Sequence, residues 1–348
     1  KPIQLIIFCI SFAYSQGGIV SGFISDSSSG EALIGANVMI QETGQGMATD
    51  INGYYIIQNI NPGSYTLMAS YVGFRVSRIQ IIILDEESIK KDIEMVEDLV
   101  QLTQVDVTAE KLQRRNNIQP SKINLSPRMM KAAPALAEPD LFRTIQALPG
   151  VLTTSEYSTG LVIRGGNTDQ NLIMLDGITV YNPSHLGGVF SNFIVDGVKE
   201  AELIKGAYNA EYGGRLSAVL NVISREGNQK EFKGKANISL LSAQTTLEGP
   251  FYKGAWILSG RRTYFDLVLP KVLPDNIATN IPPYFFYDVQ GHVFSDISSK
   301  DRFSLSYYTG IDDILFDTFG LDGRWGNNTI SGHWRRVFSE RLVGNFLV

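Results

Sequence analysis

One cysteine in 348 residues, Cys9, leaves no room for an intramolecular disulfide framework or a multi-cysteine zinc site. The three histidines, His185, His292 and His333, are far apart and form neither an HxxxH nor an HxH pattern. Metal ligation and a His-based catalytic dyad therefore have no support in the sequence, and no cofactor is expected. Charge is sparse, with 30 basic and 35 acidic residues making up 19% of the chain and a formal net charge of −5. Without a basic cluster to neutralise phosphates, nucleic acid is excluded as the main partner. No run reaches the 18 or so apolar residues of a membrane helix, so any membrane insertion must use β-strands. What is abundant is glycine, at 33 residues, in a chain that is 44% hydrophobic, a composition that fits neither disorder nor a helical bundle. The length predicts two or three domains.

The first segment, 1–16, places Lys1 before the apolar run Ile3–Phe12 and the small residues Ala13 and Ser15, the pattern of a secretory signal peptide. Such a run is too short to span a bilayer. Cys9 follows the bulky Phe8, which argues against lipid acylation there, so it is assigned to the removed segment. The chain lacks an initiator methionine and stops within the apolar stretch Leu342–Val348, so a fragment truncated at both ends is expected.

Residues 17–96 alternate short apolar segments with turn signals. Ile19–Ile24, Ala36–Ile40, Tyr54–Ile57, Ser64–Ser70 and Ile79–Leu84 are predicted strands, separated by Asp26–Gly30, Asn52-Gly53 and Asn61-Pro62-Gly63. The spacing predicts a β-sandwich. Residues 86–97 are acidic and read as a bridge leading out of it. The strings "SGFISDSSSGEALIGANVMI" and "ATDINGYYIIQNINPGSYTLMASYVGF" resemble a carboxypeptidase-regulatory-like, transthyretin-like domain, which implies a spacer or docking module.

A linker, 97–117, contains Leu102, Thr103, Gln104, Val105, Asp106, Val107, Thr108 and Ala109, in which β-branched residues alternate with polar ones. Alone this is a weak strand signal, equally that of an ordinary edge strand. Between a folded module and an Arg/Asn-rich linker it suits addition to another protein's sheet edge, and it resembles the TonB box of outer-membrane active transporters. The following Glu110-Lys111 departs from the Ala-Leu-Gly pattern of starch-utilisation-type importers.

Residues 118–228 open with four prolines and then a predicted helix. Asp140 is its N-cap, Leu141, Ile145 and Leu148 share one face, and Pro149-Gly150 ends it. Strands are predicted at Leu161–Arg164, Leu172–Leu175, Ile178–Tyr181 and Ala201–Lys205, with Gly165-Gly166, Asp176-Gly177 and Gly206 as turns. Arg164-Gly165-Gly166 lacks the Lys-Ser/Thr end of a P-loop. The strings "LFRTIQALPGV", "LVIRGGNTDQNLIMLDGITVYNP" and "VKEAELIKGAYNAEYGGRLSAVLNVISREG" resemble a TonB-dependent receptor plug. The spacing of Arg164, Gly165 and Gly166, through Asp176 and Gly177, to Glu211, Tyr212, Gly213, Gly214 and Arg215 makes the match specific. Arg164 and Arg215 are expected in plug–barrel ion pairs, and Tyr157, Asn167, Asp169, Asn182 and His185 are expected on loops facing a ligand.

Residues 229–348 are strand-rich and aromatic. In Tyr284–Phe294, Phe285, Tyr287, Val289 and Val293 point one way and Asp288, Gln290 and His292 the other, the dyad signature of a transmembrane barrel. Trp256, Tyr284, Phe286, Tyr307, Tyr308, Trp325 and Trp334 are expected in the aromatic girdle. About six strands are expected, too few to close a barrel of about 22. Arg261-Arg262 fits equally a luminal pair facing plug carboxylates such as Glu211 and a solvated strand end.

The fold class expected is mainly β: an N-terminal sandwich, an α+β plug, and the first strands of an incomplete antiparallel transmembrane barrel. The resemblance implies a non-enzymatic importer in the outer membrane of a Gram-negative bacterium, with its N-terminal domain periplasmic. Its partners would be a TonB-type energy-transducing protein, outer-membrane lipid, and an unidentified small-molecule or oligomeric substrate. The alternative is an envelope receptor that binds ligand and signals to a periplasmic partner without transport.

Overall fold

The computed structural model describes residues 17–84, 87–98, 122–133, 138–155, 158–272, 274, 283–298, 300–316, 321–339 and 342–348. The expected signal peptide 1–16, the coupling segment Leu102–Ala109 and Tyr157 lie outside the described residues. The chain divides into two units, residues 1–28 with 32–110 and residues 29–31 with 111–348.

The first unit is the sandwich. Its strands are β1 (Gly18–Asp26), β2 (Asn37–Ile40), β3 (Gly46–Ala48), β4 (Tyr54–Ile60), β5 (Gly63–Ser70), β6 (Ser77–Ile83), β7 (Ser88–Lys90) and β8 (Ile93–Met95). One sheet runs β4-β1-β7, with β8 also on β1, and the other runs β3-β2-β5-β6. Period-two alternation brings Val20, Ile24, Tyr55 and Ile60 of the first sheet together with Val38, Ile40, Leu67 and Ile83 of the second in one apolar core. Each such fully buried side chain contributes about 1.5–3 kcal/mol. The Tyr55 hydroxyl donates to the Lys91 carbonyl at 2.7 Å, so its polar end is satisfied in that core.

The acidic bridge is a correction. β7 and β8 pair in parallel with β1 instead of leading away from the sandwich. Composition hid the alternation: Asp92 and Glu94 are exposed while Ile93 and Met95 are buried.

The second unit begins with a central domain. Its elements are β9 (Lys122–Leu125), α1 (Pro127–Ala132), α2 (Leu141–Gln146), β10 (Val151–Thr153), β11 (Leu161–Ile163), β12 (Leu172–Leu175), β13 (Ile178–Thr179), β14 (Ser184–His185), β15 (Phe190–Ser191), β16 (Val198–Ile204) and β17 (Val219–Ser224). A five-stranded sheet, β13-β12-β17-β16-β9, carries the domain, and β10-β11 and β14-β15 are separate pairs. Asp140 caps α2 as expected, accepting from the Arg143 amide at 3.0 Å. Leu141 and Ile145 are fully buried against Leu203, Leu220 and Val222 of the sheet in one core.

Seven strands follow: β18 (Lys233–Ile238), β19 (Ser242–Phe251), β20 (Gly254–Thr263), β21 (Tyr284–Asp296), β22 (Asp301–Phe316), β23 (Leu321–Ser339) and β24 (Leu342–Leu347), with α3 (Phe265–Val272) between β20 and β21. Each is antiparallel to its chain neighbour, giving an open meander, or wall, of seven strands where about six were expected.

The alternation in β21 is as the sequence implied, yet its inward face is packed and not solvated. Phe286, Asp288 and Gln290 are buried, as are Tyr308 and Asp312, which the β21–β22 register puts on the same face. Tyr284, Phe286 and Tyr308 are therefore core residues and not girdle residues, and Trp325, paired with Asp312, shares their face. Phe303, Leu305 and Tyr307 are exposed on the opposite face. Trp334 stacks there on Phe303, with ring centroids 5.6 Å apart.

Candidate functional site

The inward face of the wall meets the central domain through a buried ionic network. His185, at the end of β14, is fully buried. Its Nε2 lies 2.8 Å from Oδ1 of Asp288 on β21, and its Nδ1 lies 2.8 Å from Oδ2 of Asp312 on β22. The imidazole stacks on Phe286 with centroids 4.1 Å apart and planes 5° from parallel. Asp312 Oδ1 accepts from the Leu186 amide at 3.0 Å and from the Tyr284 hydroxyl at 2.5 Å.

Asp288 is as fully engaged. Its Oδ2 accepts from Arg261 Nε at 2.8 Å and Nη2 at 2.5 Å, and its Oδ1 also accepts from the Tyr308 hydroxyl at 3.0 Å. Arg261 reaches back into the central domain, donating through Nη1 to Glu138 Oε1 at 2.8 Å and through Nη2 to the Ser191 carbonyl at 2.7 Å. Glu138 Oε2 accepts from Gln244 at 2.6 Å and from the Ser242 hydroxyl. Two guanidinium N–H groups on one carboxylate oxygen, with further hydrogen bonds to the other, are what make these buried charges tolerable.

Desolvation pushes the His185 imidazolium down, but the adjoining Asp288 and Asp312 carboxylates more than offset it, and the group sits above the ordinary imidazole range. Removing either partner would strand a buried charge, which costs about 3–5 kcal/mol.

Further contacts flank this centre. The Asn182 amide donates to Asn327 Oδ1 at 3.3 Å, and Asn327 Nδ2 donates to the Asn182 carbonyl at 2.6 Å. Asp176 holds Ser224 through its amide at 2.8 Å and its hydroxyl at 2.6 Å, and Gln290 on β21 donates to that hydroxyl at 2.7 Å. Asp196 accepts from Lys235 on β18 at 2.8 Å and pairs with Lys131 of α1 at 2.5 Å. Burial alone would raise the Asp196 carboxyl, but the two lysines hold it below the usual range.

The motif residues fall at two places. Arg164, at φ +49°, and Gly165, at φ +80°, turn the chain after β11. A Cβ on Gly166 would stand 2.4 Å from Ser217 Oγ, so the second glycine permits a close approach of the 206–217 loop. Ser217 Oγ donates to the Ile163 carbonyl at 2.8 Å, and the Leu216 and Ser217 amides donate to the Gln170 carbonyl at 3.1 and 3.0 Å. The Arg-Gly-Gly turn and the Glu211–Arg215 loop are thus brought together. Tyr212 packs beside Leu172, Met174 and Val219. Asp176 and Gly177, with φ of +49° and +82°, form the hairpin turn at the other end of β12.

Several expected roles change. His185 faces the wall and not a ligand, because both ring nitrogens are taken by carboxylates. Asn182 likewise meets the wall, whereas Asn167 and Asp169 are exposed. Arg261 does face a carboxylate of the central domain, but that carboxylate is Glu138; Glu211 is exposed beside Asn209. Arg215 donates to the neighbouring Gly214 carbonyl at 3.0 Å and Arg164 is exposed in its turn, whereas Arg261 to Glu138, Arg225 to Glu248 and Arg302 to Glu226 make ion pairs between the central domain and the wall. The sequence assigned no role to Glu138 and no partner to Asp288 or Asp312. The one signal pointing to the latter two is a carboxylate at an inward position of an otherwise aromatic strand.

A second buried carboxyl lies within the central domain. Burial raises Glu200 on β16 to about 7, against the opposing pull of Lys122 and Lys199. On the neighbouring edge strand, Lys122 pairs with Glu202.

Comparison with known proteins gives the class. The family model for the CarboxypepD_reg-like domain matches residues 20–107, and that for the TonB-dependent Receptor Plug Domain matches residues 125–219. The first match runs past β8 and includes Leu102–Val107. The chain thus combines a CarboxypepD_reg-like domain with a TonB-dependent receptor plug domain. In particular, it is 29% identical over 236 residues to the TonB-dependent receptor P26 of Formosa agariphila, covering 64% of this chain and 22% of that protein. It is 24% identical over 237 residues to the TonB-dependent transporter Oar of Myxococcus xanthus, with the same 64% and 22% coverage. The chain spans about a fifth of the length of these curated relatives. Among solved structures, the siderophore receptor PirA of Pseudomonas aeruginosa aligns with a TM-score of 0.48 at 17% identity, covering 66% of this chain and 39% of that one. The ferric enterobactin receptor of the same organism aligns at 0.46 and 18%, covering 64% and 39%.

Proposed function

We propose that this chain comprises the sandwich, coupling segment, plug and first barrel strands of a receptor that imports a solute across the outer membrane of a Gram-negative bacterium. The observation that carries the reading is the junction between plug and wall. It is buried, yet charged and extensively hydrogen-bonded, and polar interfaces of this kind part and re-form more readily than apolar cores, because charged and polar groups have water as an alternative partner. Solute binds over the plug, where Asn167 and Asp169 are exposed. The segment Leu102–Ala109 joins a periplasmic TonB-type transducer as an added strand, and the pull it transmits separates plug from wall. Outer-membrane lipid covers the outward face bearing Phe303, Leu305 and Tyr307, and the sandwich stands in the periplasm.

The test is binding of the purified periplasmic domain of a TonB-type protein to the full-length receptor, with Val105→Pro and Val107→Pro each removing one backbone amide. Wild-type binding lost in both variants supports strand addition at this segment. Equal binding by wild type and variants contradicts it.

A further inference from the structure

His185 has a carboxylate oxygen at hydrogen-bond distance from each ring nitrogen. A neutral imidazole carries one N–H and one lone pair, so one of the two contacts would set a lone pair against a carboxylate. Both carboxylates already accept hydrogen bonds, Asp288 through both oxygens and Asp312 through Oδ1. Asp288 accepts from Arg261 and Tyr308, and Asp312 from the Leu186 amide and Tyr284. The proton belongs on His185, because an imidazole is a stronger base than a carboxylate that already accepts two or more hydrogen bonds.

The wider surroundings point the same way. Glu138, Asp288 and Asp312 are three buried carboxylates around the single guanidinium of Arg261, and Asp140 adds a further negative charge close enough to act on that guanidinium. Leaving Asp140 aside, the cluster carries a net charge of −2 with a neutral His185 and −1 with a charged one. The Phe286 ring, stacked on His185 and with the Arg261 guanidinium carbon 5.1 Å from its centroid, offers its negative face to cations.

We infer that the plug–wall junction is a proton-binding site: it holds His185 as an imidazolium bridging Asp288 and Asp312, and the plug is retained against the wall only while that proton is bound. The site follows from geometry alone, while its bearing on opening rests on the transport reading. With the plug parted from the wall, His185 returns to water and its ordinary pKa of about 6.5, so parting releases a proton at any higher pH at which the closed junction is still protonated. A base in this state contributes stability that is complete below its open-state pKa and is lost as pH rises through its closed-state pKa. The junction should therefore loosen on alkalinisation.

Asp312→Asn is the discriminating variant. Its amide oxygen can still accept from the Leu186 amide and Tyr284, while its NH₂ can donate to His185 Nδ1, so a neutral imidazole then satisfies both contacts. The experiment uses the full-length receptor in detergent. Nitrogen NMR of the histidine ring at about pH 8, more than a unit above the ordinary value, should find both His185 ring nitrogens protonated. Hydrogen exchange of the Leu186 amide, corrected for its intrinsic rate, should accelerate by up to about tenfold per pH unit between the open-state value of about 6.5 and the closed-state midpoint, the limit for one proton, and level off above it. In Asp312→Asn that pH slope should vanish. A singly protonated ring at about pH 8, a flat wild-type profile, or the same slope in the variant overturns the inference. The ring measurement needs only wild-type protein, so it stands even if the variant does not fold, and it is independent of whether the coupling segment binds a transducer.

Discussion

The sandwich core and the plug–wall junction are both buried, and they are built from opposite materials. In the sandwich, Ile24, Ile40, Ile60, Leu67 and Ile83 meet across two sheets as hydrocarbon. At the junction, Arg261, Glu138, Asp288, Asp312 and His185 meet as charges. Apolar burial is non-directional and loses value with every square ångström exposed, so such a core stays shut. A saturated ionic interface adds little net stability, yet it fixes one geometry and punishes any partial loss. On the proposed transport reading, the contrast separates a module that must remain folded from a contact that fixes one geometry and then releases.

Variants can break or sharpen this contrast. The largest effect is expected at Arg261. Arg261→Met leaves Glu138 and Asp288 buried without their shared cation, destabilising the junction by about 4 kcal/mol. Denaturant melts should show plug release at lower urea with the sandwich transition unmoved. Next, Ile60→Ala removes apolar volume from the sandwich core at a cost of about 3 kcal/mol. It should shift the sandwich transition and leave hydrogen exchange at the junction as in wild type.

A smaller effect is expected at Glu200, whose carboxyl is raised to about 7 by burial. The folded plug binds this proton more tightly than the unfolded chain does. Plug stability therefore falls as pH rises from the ordinary value of about 4.3 to about 7, and the penalty is complete above that. Glu200→Gln should flatten the stability profile in this window and gain about 2 kcal/mol at pH 8. The smallest effect is a control on the surface. Lys90 and Asp92 pair at 3.3 Å with both side chains more than half exposed, so Lys90→Ala should change sandwich stability by about 0.5 kcal/mol or less.

The two regions also differ in how far the sequence reveals them. The five strands expected in the sandwich are present because each is short, alternates with period two and is bounded by its own turn residues. The three-residue β3 was not expected, and the acidic run concealed β7 and β8, since net composition masked Ile93 and Met95. The helix after Asp140, the Asp176-Gly177 turn and the alternation of β21 were legible for the same local reasons. The junction was not. His185 and Asp312 are 127 positions apart, and Arg261 and Glu138 are 123 apart, so only the docking of plug on wall joins them. Period two also says which residues share a face without saying what that face meets. Tyr284, Phe286 and Tyr308 therefore read as lipid-facing aromatics although they pack against or beside the plug.

The claim that this junction parts under energy coupling is tested most directly at Ser242, a wall residue nearly without exposure whose hydroxyl is held by Glu138 of the plug. Ser242→Cys replaces it with a nearly isosteric thiol in a chain whose one native cysteine is Cys9. The measurement is labelling of that thiol by a hydrophilic maleimide in living cells, energised or treated with a protonophore, with the full-length receptor carrying either the native coupling segment or Val105→Pro. The account predicts labelling only in energised cells with the native segment; equal labelling in all conditions, or none in any, would contradict it.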